Sequence, residues 1–135
     1  MLHTTIIQPR FSETDKLGHI SNTVLPVWMA ESRSAFCRGA LEITQPWVVA
    51  NISIDFVKEI FHGDNVAITT SVHRIGSKSI SFYQEIFQNN TLCALGKTTV
   101  VCIDEHNKSC SVPEECKDKL SGYLKYQDEI VNLTI

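Results

Sequence analysis

One long helical stretch followed by four strand-like stretches joined by short turns leaves this chain few ways to fold. Residues 3–11, with Thr4, Thr5, Ile6 and Ile7, read as a first strand. Residues 12–21 are polar and hold Gly18, so they read as loop. A helix is expected from about 23 to 40, capped by Asn22 or Thr23, with Pro26 in its tolerant first turn. Val24, Val27, Trp28, Ala35 and Leu41 form its expected apolar stripe. From Val48 to Val57 the residues alternate, Ala50, Ile52, Ile54 and Phe56 against Asn51, Ser53 and Asp55. Three further strands follow. They are centred on Val66–Val72, Ile80–Ile86 and Thr91–Ile103, and Asn89-Asn90 supplies a tight hairpin turn. Pro113-Glu114-Glu115 opens a short helix, and the last dozen residues are ambiguous.

Hairpin-length links between consecutive strands predict an antiparallel meander. Its apolar face needs a cover, and the one long helix is the candidate. The expectation is an α+β fold, a five-stranded antiparallel sheet wrapped around a central helix, in one domain spanning 1–135. A lone small sheet also leaves pairable edges, which points to a second subunit.

Composition narrows the function classes. Hydrophobic residues make up 43% of the 135, enough for a packed core. The formal net charge of −3 argues against a nucleic-acid binder. No apolar run approaches the ~20 residues of a membrane span, and Met1–Thr5 lacks signal-peptide character. Five cysteines with no C-x-x-C pair fit free thiols, a cytoplasmic location and no metal site. No P-loop, G-x-G-x-x-G, G-x-S-x-G or H-E-x-x-H occurs.

The chemistry concentrates around the helix start. A helix N-terminus carries free N–H groups and about half a positive charge. Asp15, seven residues before Asn22, can face an oxygen held by those groups, which is the minimum apparatus for acyl transfer. The plainer reading makes Asp15 a loop acid that offsets the helix dipole. His19 and Asn22 bracket the same loop, each with an ordinary reading as loop histidine and cap. Glu31 falls on or beside the apolar stripe, either as a paired buried acid or with its head in solvent. Arg74-Ile75-Gly76-Ser77-Lys78-Ser79 reads as a hairpin with solvated charges, or as a place where backbone and cations meet a phosphorylated ligand.

Phe11, Glu13-Thr14-Asp15, Gly18-His19-Ile20, Asn22, Trp28 and Glu31-Ser32-Arg33 occur in that order. Gly63-Asp64, Ile75-Gly76-Ser77-Lys78-Ser79 and Val100–Asp104 follow. This series resembles the hotdog-fold acyl-CoA thioesterases of the 4-hydroxybenzoyl-CoA thioesterase family over roughly residues 3–120. Two positions depart from the pattern: Ser21 stands for the first of two asparagines, and Leu25 for an aromatic. The resemblance implies thioester hydrolysis without a cofactor. Asp15 would be the nucleophile or general base, and the Asn22 N–H would hold the thioester oxygen. Gly18, His19 and Glu31 would join the substrate-binding set. Arg74, Gly76, Lys78 and Ser79 would come from the partner chain of a homodimer or homotetramer, with Lys78 or Arg74 on the phosphates of coenzyme A. Hydrolysis of an acyl-carrier-protein thioester, and an acyl-CoA-binding domain without catalysis, are the alternatives.

Overall fold

The computed structural model describes residues 1–125; most of the ambiguous last dozen fall outside that range. Strand β1 (His3–Ile7) leads through a loop containing a 3-10 turn (Phe11–Glu13) to the helix. A second 3-10 turn (Asn22–Val24) opens that helix, α1 (Leu25–Ser34) continues it, and a π turn (Ala35–Ala40) ends it. Strands β2 (Trp47–Phe56), β3 (Val66–Ile75), β4 (Ser79–Gln88) and β5 (Thr91–Cys102) follow, then α2 (Glu114–Ser121). Among the described residues no helix is long and apolar enough to cross a membrane.

All five strands form one antiparallel sheet in the order β1-β3-β4-β5-β2. The expected four-strand meander is therefore corrected. β3, β4 and β5 follow one another through tight turns, with Asn89 and Asn90 at φ 51 and 61, as a type I′ hairpin requires. β2 instead pairs with β5. Residues 57–65 are thus a crossing link to the far side of the β3–β4–β5 unit, with His62–Asn65 turning into β3.

α1 packs on one face of the sheet, and of the expected stripe Trp28 is buried, Val24 and Leu41 are half-buried, and Val27 and Ala35 are not buried. Leu25, Trp28, Met29, Ser32, Arg33, Phe36 and Cys37 are buried, whereas Val27, Glu31 and Ala35 are exposed. The reason lies in the sheet. Thr70 and Gln84 are cross-strand partners, Gly96 follows them in the same row, and Thr98 lies two residues further along β5. This row accepts the polar side of the helix. Arg33 Nη1 donates to Gln84 Oε1 (3.2 Å) and Thr98 Oγ1 (3.1 Å). Gln84 Nε2 donates to Thr70 Oγ1 (3.1 Å) and to the Met29 carbonyl (3.0 Å). Burial pulls the Arg33 pKa below the ordinary guanidinium value. Gly96 lies where Met29 packs down on β5, so a β-carbon there would strike the Met29 side chain.

The polar row divides the core. On the side of the helix N-terminus, Ile20, Leu25, Trp28, Met29, Ile68 and Ile86 form one apolar cluster with their neighbours. On the other side, Phe36, Cys37, Val72, Phe82, Val100 and Leu120 anchor a second. All five cysteines are free thiols.

Candidate active site

The loop before the helix is closed on itself and then tied to the scaffold. Thr14 and Ile20 form a bridge, the Asp15 amide donates to the His19 carbonyl (2.7 Å), and Gly18 adopts φ +81 at the turn, which favours glycine. The Asp15 side chain caps this turn. Its Oδ1 accepts from the amides of Leu17 (2.9 Å) and His19 (3.1 Å), which fixes the carboxylate plane while the residue stays exposed. The Ile20 amide donates to the Ile60 carbonyl (2.7 Å), and His19 bridges to Phe61. His19 Nδ1 lies 3.1 Å from Glu59 Oε2, with its ring edge-on to Phe61 at 4.9 Å.

Ser21 is the cap of the helix start, in place of the expected Asn22 or Thr23. Its Oγ accepts from the Thr23 amide (3.4 Å), and the Val24 amide reaches its carbonyl (3.0 Å). The departure at Ser21 is thus the residue that caps, and the Asn22 amide makes no hydrogen bond among the described residues. Asn22 opens onto a cavity of about 210 Å³, lined by Ile20, Leu25 and Phe56–Ile60 as well. A groove of about 470 Å³ shares Lys58 and Glu59 with it and extends past Phe61 and Gln88 to Cys93. Gln88 holds that wall in place. It accepts from the Phe61 amide (3.0 Å) and donates to the carbonyls of Phe61 (2.7 Å) and Asp64 (3.1 Å).

One chain gathers only part of the expected set. Asp15, Gly18, His19 and Asn22 share the loop and helix start. Glu31 is exposed, which fits the reading of it as a flank residue with its head in solvent rather than as a paired buried acid. Arg74, Gly76, Lys78 and Ser79 lie at the opposite end of the sheet. There the Gly76 amide donates to the Ser79 carbonyl (2.7 Å), and a β-carbon on Gly76 would lie 2.8 Å from Ser79 Oγ. A ten-residue strand separates the two ends, roughly 30 Å of backbone. Sequence reasoning missed Lys58 and Glu59 as site-lining residues. Their only signal was position, between a strand and the Gly63-Asp64 turn. Among the described residues, no cluster of His, Cys, Asp or Glu side chains is arranged to hold a metal ion.

The family model of the thioesterase-like superfamily matches residues 9–120, most of the chain. The chain belongs to the thioesterase-like superfamily. A predicted thioesterase from Bacillus stearothermophilus is 30% identical, over 93% of this chain and 98% of its own, with a TM-score of 0.85. Two more distant structures share the fold. One is a 1,4-dihydroxy-2-naphthoyl-CoA thioesterase from Synechocystis: 17% identity, 90% and 96% of the two chains, TM-score 0.81. The other is a Thermus thermophilus thioesterase complexed with coenzyme A and zinc: 21% identity, 89% and 92%, TM-score 0.79. This thioesterase therefore has the hotdog fold, its long helix wrapped by one five-stranded sheet, and it is a thioester hydrolase.

Proposed function

We propose that this thioesterase hydrolyses acyl-CoA, with Asp15 as the reacting carboxylate and the Asn22 N–H as the oxyanion donor. The observation that carries the reading is the state of the loop. Leu17 and His19 pin one oxygen of the Asp15 carboxylate, and the Asn22 amide, which has no partner among the described residues, begins the helix beside a cavity. A thioester carbonyl held at Asn22 develops negative charge on its oxygen when attacked, and a fixed N–H at a helix start stabilises that charge. Asp15 then either attacks the carbonyl carbon or takes a proton from the attacking water. In both cases the C–S bond breaks and the thiolate of coenzyme A leaves; where Asp15 is the nucleophile, water then cleaves the acyl–Asp15 anhydride, releasing the acid and restoring the carboxylate. Coenzyme A as the carrier is supported by the complexed Thermus thioesterase of the same fold.

The site in this reading is completed by a second copy. β2 is a ten-residue edge whose Val48, Val49, Ile52 and Phe56 are exposed, the sort of edge that pairs. Its Trp47 end lies near the Arg74–Ser79 turn, through Val48 opposite Val101 and Val101 opposite Ser79. Its Phe56 end lies at the cavity. Antiparallel pairing of two β2 strands brings Phe56 of one copy beside Trp47 of the other. That sets Arg74, Gly76, Lys78 and Ser79 of the second copy near the Asp15 loop of the first.

The test is Asp15→Asn, assayed by thiol release from a panel of aromatic, short-chain and long-chain acyl-CoA substrates. Turnover is expected to fall by about a hundredfold or more, with oligomeric state and thermal midpoint unchanged. Equal turnover by the variant and the wild type would remove Asp15 from the reaction.

A further inference from the structure

The loop that carries Asp15 touches α1 through one side-chain bond among the described residues: Trp28 Nε1 donates to Glu13 Oε2 at 3.0 Å. Glu13 is more than one end of that bond. Its Oε1 accepts from the Arg10 amide (2.7 Å), its carbonyl accepts from the Ser21 amide (2.8 Å), and the Arg10 guanidinium stands 3.6 Å away. One residue therefore grips the start of the loop, its end and the helix. Its side chain is only 10% exposed. Burial raises its pKa, but the bonds from the Arg10 amide and the Trp28 indole, with the Arg10 charge, bring the net value below the ordinary one. Trp28 is buried in the cluster with Leu25 and Met29, so the indole is a fixed post.

A purely apolar contact would fill this space as well, without desolvating a carboxylate. What the carboxylate adds is direction, because charge-assisted bonds fix angle as well as distance. We propose that Glu13 is a positioning residue, and that its strut to Trp28 holds Asp15 in register with the Asn22 N–H. The proposal rests on the roles given above to Asp15 and Asn22. The other anchor of the loop, from His19 and Ile20 to residues 60–61, reaches Asp15 through its bonds to His19 but makes no hydrogen bond to α1 among the described residues. With Glu13 released, Asp15 can shift against the helix start, and a shift of about 1 Å at a reacting group costs up to about a hundredfold.

Trp28→Phe removes the donor and keeps an aromatic ring in the cluster. Glu13→Gln keeps the shape but sets an amide N–H against one of the two donors. Each is made alone and in the Asp15→Asn background, and kcat and KM are measured on the best acyl-CoA of the panel. Each single variant is expected to lose about 10- to 100-fold in kcat with KM within about threefold, Glu13→Gln losing less than Trp28→Phe. Neither is expected to lower activity further in the Asp15→Asn background, because the strut acts only through Asp15. Wild-type kcat in both single variants, or the same fractional loss with and without Asp15, overturns the proposal. Where Trp28→Phe fails to fold, Glu13→Gln carries the test. Full activity of Asp15→Asn overturns the reading of Asp15 itself. An inactive Asp15→Asn beside a fully active Trp28→Phe overturns the strut alone.

Discussion

The two ends of the long helix are held by different physics. At its start, where Leu25, Trp28 and Met29 are buried in the smaller apolar cluster, hydrogen bonds to named atoms add direction: Ser21 on the Thr23 amide, Glu13 on Trp28, the Ile20 amide on Ile60. At its end, a π turn from Ala35 to Ala40 sinks Phe36 and Cys37 into the larger apolar cluster, with Phe36 stacked on His3 and edge-on to Tyr123. Dispersion and hydrophobic burial are large but non-directional, so they give stability and tolerate small shifts. Hydrogen bonds contribute less each and fix position. The end that must place a carboxylate and an N–H adds directional bonds to its apolar cluster, and the other end rests chiefly on the larger cluster.

The largest break in this contrast is Phe36→Ala. It should cost about 3–5 kcal/mol in urea denaturation. Turnover per folded molecule should stay close to wild type, the mirror image of Asp15→Asn. A large loss of turnover in the folded fraction would show that the two ends are coupled. Ser21→Ala should cost about 0.5–1 kcal/mol, since the bond it removes is long at 3.4 Å. Ser21→Asn should retain the stability, because asparagine caps equally well. A neutral Ser21→Ala would show that the turn is capped by its backbone alone.

The smallest effect concerns the thiols. Burial pushes Cys37 up to about 12 and Cys102 to about 11, and it also raises Cys93 and Cys116. Cys110 is half-exposed, its Sγ 3.7 Å from Gln45 Nε2. Titration with a disulfide reagent at neutral pH should therefore find one fast thiol in the native protein and five after denaturation. Several fast thiols would mean that the apolar end opens readily.

The sequence was most readable where structure is local. The alternation in residues 66–103 and the Asn89-Asn90 turn locate β3, β4 and β5, because neighbours in sequence are neighbours in the sheet. The position of β2 was not readable, since its pairing with β5 reaches across two intervening strands. The helix was found but its buried face was misjudged. Counting apolar residues favoured Val27 and Ala35, and hydrophobic periodicity has no way to register that Gln84 and Thr98 would accept hydrogen bonds from Arg33. Of the site, the Asp15 loop was legible because its residues follow one another in the chain. Lys58 and Glu59 arrive from a crossing link, and the Arg74–Ser79 turn lies at the other end of the sheet.

The polar row under Arg33 also has a consequence for motion. Apolar contact is continuous within each cluster but interrupted at Thr70, Gln84 and Thr98, so the two halves of the core are expected to open with different free energies. Hydrogen exchange should then find the amides around Phe36 protected for longer than those beneath the helix start. Arg33 and Gln84 are the seam along which that difference in local stability is drawn.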